Sequence, residues 1–276
     1  MRYIEGIIAK IFSYIPRERR EIIRLFFDLG RFTELLAEVN LGGEPFYFNI
    51  FRISKEELQF LVGRIWEYDC YLMENIRKKT PVVFDIGAHI GVFSRFVFFK
   101  NKNAKLWAFE PDKDNMHILK LNLVNHIENV EFVSKGIYFK KDKLKFYVSK
   151  KIDWRSSLYT SKEFMSMFEK GEYSSMYEIE TTDFDSFVQE NITRIKSVDL
   201  IKITVPGMIE HLILEKSINV IQKFRPQVSI SVYNKNKDKV EMFFRELGYK
   251  KIKTRWNEYK EKNIKDGISD IWVFVP

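Results

Sequence analysis

Val82-Val83-Phe84-Asp85-Ile86-Gly87-Ala88-His89-Ile90-Gly91 decides the fold of this chain. An apolar run of strand length ends at an acid and passes into a glycine-interrupted turn, the pattern of a buried strand feeding a helix. Glycine lets the backbone come close to a ligand, and the first turn of the helix that follows offers unpaired N–H groups to an anion. Downstream, Leu106 to Phe109 forms a second apolar run that ends at Glu110-Pro111. A carboxylate about 20 residues beyond such a turn holds a ribose in nucleotide-binding α/β folds. The two motifs, in this order, point to a ligand with an adenosine moiety.

The glycine spacing narrows the ligand. Dinucleotide-binding turns read G-x-G-x-x-G, with the second glycine where the backbone meets a pyrophosphate. Here that place is taken by His89, and the pattern is Asp85-x-Gly87-x-x-x-Gly91, so a pyrophosphate would be crowded. S-adenosyl-L-methionine (SAM) has no pyrophosphate. It carries an amino-acid end, a sulfonium and a ribose with two hydroxyls. The turn of Asp85, Gly87, His89 and Gly91 suits the amino-acid end, and the strand end Glu110-Pro111 suits the ribose.

Composition sets the class. A chain of 276 residues can bury the core of one α/β domain plus an extension. Hydrophobic residues at 45% and charged residues at 30% are those of a soluble globular protein. The 25 Phe and 13 Tyr favour thick packing and an apolar acceptor cleft. One cysteine, Cys70, excludes an internal disulfide and a multi-cysteine zinc site. His89, His117, His126 and His211 show no ligand spacing, so no metal is expected. No apolar run approaches the roughly 18 residues of a spanning helix. Met1-Arg2-Tyr3-Ile4-Glu5 has an early acid and no signal-type block, so a cytoplasmic location is expected. The formal net charge of +8 fits attraction to nucleic acid, a membrane surface or an acidic glycan, or simply a Lys-rich soluble surface. Basic clusters such as Arg17-Glu18-Arg19-Arg20 mix in acids, and no nucleic-acid module stands out.

Residues 1–80 differ from 81–276, which suggests a helical amino-terminal extension ahead of one SAM-binding domain. Ile4, Ile7, Ile8, Ile11, Phe12 and Ile15 form a helical stripe closed by Pro16. This stripe, residues 1–15, offers either packing on the body of the protein or a peripheral membrane contact. A second helical pattern runs from Ile22 to Leu29, Leu41-Gly42-Gly43-Glu44-Pro45 reads as a turn, and Phe46 to Ile53 as a short strand. Ser54 and Glu57 form a capping box. From Pro81, strand and helix alternate, the signature of a doubly wound, mostly parallel sheet. Strands are expected near 82–86, 105–109, 130–133, 198–203, 227–232 and 271–275, with helices near 91–99, 113–125, 184–191, 208–224 and 238–247. An extra strand pair, 144–148 and 178–182, brackets an irregular stretch containing Trp154-Arg155, whose loop could close over a site. Trp154 would stack on a sugar face and Arg155 would hold an anionic group.

Together these motifs resemble the FkbM family of SAM-dependent methyltransferases. The matching residues are Phe84-Asp85-Ile86-Gly87-Ala88-His89-Ile90-Gly91, Ala108-Phe109-Glu110-Pro111 with Asn115, and Leu119-x-x-Asn122-x-x-Asn125. Later come Asp183-Phe184-Asp185, Val198-Asp199-Leu200-Ile201-Lys202-Ile203, Arg225-Pro226, Leu247-Gly248-Tyr249 and Asp270 to Pro276. The resemblance runs from Pro81 to the end. It implies a Rossmann-like class I methyltransferase fold with SAM as cofactor. It also implies methyl transfer to a hydroxyl of a glycan, glycolipid or other small metabolite; Lys202 and Tyr233 are expected on the acceptor side.

One departure bears on chemistry. Family members typically continue Lys-Ile-Asp-Val-Glu-Gly-Ala-Glu after the fourth strand, whereas this chain reads Lys202-Ile203-Thr204-Val205-Pro206-Gly207-Met208-Ile209. Thr204, Pro206 and Ile209 replace three acids at the ligand-facing rim of the sheet. Thr204 cannot act as a general base. Three readings follow: positioning alone drives transfer from an activated donor; a base comes from Asp199, Glu210 or His211; or the chain binds SAM as a scaffold without catalysis. An RNA methyltransferase is a further alternative resting on the charge alone.

Overall fold

The computed structural model describes residues 36–49, 53–149, 157–158, 173–207, 209–264 and 269–276. The apolar stripe at Ile4 to Ile15, the helical pattern at 22–29 and the Trp154-Arg155 loop lie outside the described residues.

The described chain enters with a hairpin, β1 (Leu36–Leu41) and β2 (Glu44–Asn49), then a helix, α1 (Lys55–Val62), continued by a π-turn over Gly63–Glu67. The alternation follows: β3 (Val82–Ile86), α2 (Val92–Lys100), β4 (Lys105–Phe109), α3 (Lys113–Asn122) and β5 (Val130–Val133). A β-rich insertion holds β6 (Gly136–Ile137), β7 (Asp142–Ser149), β8 (Ser157–Leu158) and β9 (Tyr173–Thr182). The alternation resumes with α4 (Phe184–Glu190), β10 (Leu200–Ile203), α5 (Glu210–Glu215), α6 (Ile218–Phe224), β11 (Gln227–Val232) and α7 (Lys237–Glu246). It closes with β12 (Lys250–Ile252), α8 (Arg255–Asn263) and β13 (Asp270–Val275).

The main sheet has seven strands in the order β12-β13-β11-β10-β3-β4-β5. The pairs from β11 through β10, β3 and β4 to β5 are parallel, and β13 runs antiparallel to both β11 and β12. This is the doubly wound, mostly parallel fold that the alternation predicts. Strand order reverses at β3 and β10, so their carboxyl ends part and open a crevice there. The insertion forms its own sheet, β6-β9-β7-β8, whose antiparallel β7–β9 pair contains the expected extra strands.

Alternation along β3 divides the core. Phe84 and Ile86 belong to the cluster packed under α4 to α7, whereas Val83 belongs to the one packed under α2 and α3. The described residues between 36 and 80 lie on the second face: Phe46, Phe48, Leu58, Ile65 and Tyr71 share a cluster with Phe93 and Phe96 of α2. The described part of the amino-terminal stretch thus holds a hairpin as well as a helix and shares the domain's core. Two buried polar residues fasten it. Asn122 accepts from the Tyr47 N–H at 2.7 Å and donates to the Tyr47 and Ile90 carbonyls at 3.0 and 2.7 Å. Arg95 pairs with Glu44 at 2.6 Å.

The helix expected over 208–224 is two, α5 and α6. Between them the Ser217 hydroxyl donates to the Ile213 carbonyl at 2.7 Å, a side-chain bond back to the preceding turn that competes with helix continuation. β12 and α8 fall where no element is expected. Thr254 caps α8 with Asn257 at the third position, in place of the usual Glu or Gln.

Candidate active site

The turn after β3 is built around a buried ion pair. Parallel register sets Asp85 beside Lys202 on β10. The Lys202 Nζ lies 2.9 Å from Asp85 Oδ1 and donates to the Gly87 carbonyl at 2.6 Å. The Ser94 hydroxyl donates to Asp85 Oδ2 at 2.6 Å. Asp85 and Lys202 therefore lock the turn between β3, β10 and α2. Lys202 also borders the cavity that the turn faces, but its ammonium is committed to this pair rather than free for an acceptor.

Two glycines in the turn are dictated by their left-handed backbone, and Gly87 by space as well. Gly87 has φ +78°, and a Cβ there would stand 2.0 Å from the Thr204 carbonyl oxygen. Gly91 has φ +91°, and a Cβ there would meet Leu119 Cδ1 at 2.7 Å. His89 also takes a left-handed conformation, φ +55°, rare for a residue with a side chain. Its backbone N–H donates to Glu110 Oε2 at 2.8 Å, so this residue meets the acid through its main chain.

Glu110 sits at the end of β4, 6% exposed. Its Oε1 accepts from the Asp112 N–H at 2.9 Å, which completes a cradle of two backbone donors. Burial, with Asp112 nearby, pushes the Glu110 carboxyl up to about 7 despite those two bonds. Each carboxylate oxygen keeps a further acceptor site for a ligand. Asn115, in the first turn of α3, lines the same cavity, is 3% exposed, and has an Oδ1 with no hydrogen-bond partner.

The cavity measures about 420 Å³ and is lined mainly by apolar side chains, within the range of small-molecule sites. Gly87, His89, Glu110 and Pro111 border it at the β3–β4 end; Thr204, Pro206, Ser231 and Tyr233 border it at the β10–β11 end. Phe60, Leu61 and Arg64 of the amino-terminal stretch line it too. Among the described residues that line it, the carboxylates are Glu56, Glu57 and Glu110. None of these belongs to the β10 or β11 rim.

At that rim, hydroxyls replace acids. Thr204 Oγ1 lies 3.1 Å from the Tyr71 hydroxyl and 3.3 Å from Ser231 Oγ, and all three residues line the cavity. Tyr71 has no counterpart in the sequence analysis. Its carbonyl accepts from Gln227 Nε2 and Ser229 Oγ, both at 2.8 Å, and its ring meets Phe93 edge-on at 4.9 Å. Asp69 and Leu72, on either side, have φ +42° and +52°, so a strained bend aims this side chain. Burial raises the Tyr71 pKa, which keeps the phenol protonated at neutral pH.

The sequence-based candidates for a base sit elsewhere. Asp199 stands at the amino end of β10, paired with Lys78 at 3.0 Å and accepting from the Val82 N–H at 2.7 Å. His211 lies 3.5 Å from Lys239 Nζ and does not line the cavity; burial and that neighbour lower its pKa. The base role read for either residue does not fit this placement. Glu210 is 1% exposed and accepts from the Tyr233 N–H at 2.9 Å, while its Oε2 has no partner. It too is absent from the lining and instead holds the loop that carries Tyr233. Among the described residues, no cluster of three His, Cys, Asp or Glu side chains could hold a metal. None of the described helices is long and apolar enough to cross a membrane.

A family model described as the methyltransferase FkbM domain matches residues 85–251. Methyltransferase sdnD of Sordaria araneosa is 38% identical over 73 residues, 26% of this chain and 28% of that protein. The 31-O-demethyl-FK506 methyltransferase FkbM of Streptomyces tacrolimicus is 35% identical over 75 residues, 27% of this chain and 29% of that protein. The chain thus spans under a third of the length of either relative. The crystal structure of M. jannaschii TYW2 with AdoMet superposes with a TM-score of 0.47 at 16% identity, covering 88% of this chain and 86% of that one.

The residues present fit SAM. A Cβ at Gly87 would meet backbone, a buried acid keeps spare acceptor sites, and Asn115, whose Oδ1 has no hydrogen-bond partner, lines the same cavity.

Proposed function

The chain belongs to the methyltransferase FkbM domain family, whose members use SAM as methyl donor, and from that premise we propose O-methylation of a hydroxyl on a glycan, glycolipid or other small metabolite. One observation carries this reading: the cavity has a buried acid at one end and, among the described residues, hydroxyls rather than carboxylates at the β10–β11 rim. One relative is itself named for a 31-O position.

Bound SAM supplies a methyl group already activated by its sulfonium. The chain supplies the rest. Glu110 accepts hydrogen bonds from the ribose hydroxyls, and charge-assisted bonds of this kind are the strong ones. The turn at Gly87 to Gly91 gives the amino-acid end close approach to backbone. Thr204 Oγ1, held between Tyr71 and Ser231, receives the acceptor hydroxyl, and its two neighbours fix the direction of its lone pairs. Apolar walls exclude water. The O–CH3 bond then forms as the S–CH3 bond breaks and S-adenosylhomocysteine leaves, while the hydroxyl proton passes through the Thr204 hydroxyl to bulk water. Alignment alone supplies a large share of the rate for a reactive donor.

A second reading, binding without transfer, is favoured by Thr204, Pro206 and Ile209 in place of the family's acids. Radiolabelled SAM offered with a panel of hydroxylated acceptors separates the two. We expect label in base-stable methyl ethers, and Tyr71→Phe should lower turnover without weakening binding of S-adenosylhomocysteine. Label on nitrogen would overturn the hydroxyl reading. Activity that emerges only on combining Thr204→Asp with Pro206→Glu would establish the second.

A further inference from the structure

We infer that Arg64, which lies outside the matched domain, receives the carboxylate at the amino-acid end of SAM. The inference rests on the SAM site described above and adds a charged contact that the family match does not reach.

Arg64 lies on the π-turn Gly63–Glu67 and lines the cavity together with Gly87, Ala88 and His89. This turn is fastened to the start of α2, since the Trp66 indole N–H donates to the Val92 carbonyl at 3.3 Å. Val92 opens α2, and the N-cap Gly91 gives its first turn no side-chain partner. Such a helix end favours an anion. Arg64 thus stands where the β3 turn meets that helix end, next to the place an amino-acid head would take.

Its own bonding is incomplete. Arg64 Nε is buried with no hydrogen-bond partner. Among the described residues no carboxylate pairs with its guanidinium, which lies 5.6 Å from the centre of the Phe60 ring. Glu57, also on the lining, commits Oε2 to the Ser54 N–H at 2.8 Å. A buried donor left unpaired is costly, and a planar guanidinium matches a carboxylate with two parallel bonds. With Glu110 fixing the ribose, the ligand group that reaches this end of the cavity is the methionine carboxylate. An acidic acceptor would offer the same charge, so the test has to separate the two sources.

Calorimetric titration of the full chain does so with two ligands. S-Adenosylhomocysteine carries the amino-acid head, whereas 5′-methylthioadenosine shares the nucleoside and sulfur but lacks that head. We expect Arg64→Gln to weaken the first by roughly ten- to a hundredfold, the loss of a charged hydrogen bond, and to leave the second unchanged. Arg64→Lys keeps the charge without the fork and should fall between, and it decides the matter should Arg64→Gln fold poorly. Equal weakening of both ligands, or of neither, would overturn the assignment. The second result would hand Arg64 to the acceptor or to solvent. Failure of the unaltered chain to bind either ligand would instead bring down the SAM reading itself.

Discussion

Glu110 carries the most testable electrostatics. A carboxyl raised from 4.5 to about 7 by burial binds its proton more tightly in the fold than in the unfolded chain. Its contribution to stability is therefore present in full below about pH 4.5 and is lost as pH rises through 7. Ribose hydroxyls donate to the ionised form, so ligand binding works in the opposite sense. Affinity for S-adenosylhomocysteine should rise severalfold between pH 5.5 and 8, and Glu110→Gln should abolish that rise; a flat profile for the unaltered chain by calorimetry would argue against a ribose contact. Residues of this kind were legible because their spacing is local: Asp85, Gly87, Gly91 and Glu110 announce themselves within one strand–turn–helix–strand unit. Tyr71 was not legible, since it reaches Thr204 from 133 residues away and belongs to no motif. Glu210 shows the reverse error. An acid at a helix start suggests chemistry, yet here it binds one main-chain N–H.

The β3 turn, as an element, tolerates little change. Gly87→Ala forces a Cβ to 2.0 Å from a backbone oxygen at positive φ, and backbone atoms cannot swing aside as a flexible side chain could. We expect a loss of at least ~2–3 kcal/mol by chemical denaturation, from strain at a special backbone conformation. A loss under ~0.5 kcal/mol, the range of neutral surface changes, would mean that β10 can retreat from the turn. Element reading from sequence succeeded where periodicity and length agreed, as in β3, β4, β5 and β11. It failed at α5 and α6, because a single serine back-bond divides a segment whose apolar spacing runs on. It also missed α8, whose cap uses Asn257 and whose exposed face is strongly polar.

For the whole molecule, the amino-terminal stretch decides whether the domain can exist alone. Phe46, Phe48, Leu58, Ile65 and Tyr71 cover α2 and the second face of the sheet. Each large apolar side chain stripped of such cover forfeits about 1.5–3 kcal/mol, against a typical net stability of about 5–15 kcal/mol. A chain beginning at Pro81 should therefore lose cooperative thermal unfolding; a sharp transition at an unchanged midpoint would show that the two parts are separable. The pairing of Asp85 with Lys202 acts at this scale as well. β3 and β10 are apolar on both faces, so greasiness alone would accept several alignments of one against the other. Sliding β10 by a single residue would flip Lys202 onto the opposite side of the sheet and strand two charges in oil. The same salt link that shapes the ligand turn thereby sets one alignment of the two central strands apart from its neighbours, and the crevice opens between strands held in that alignment.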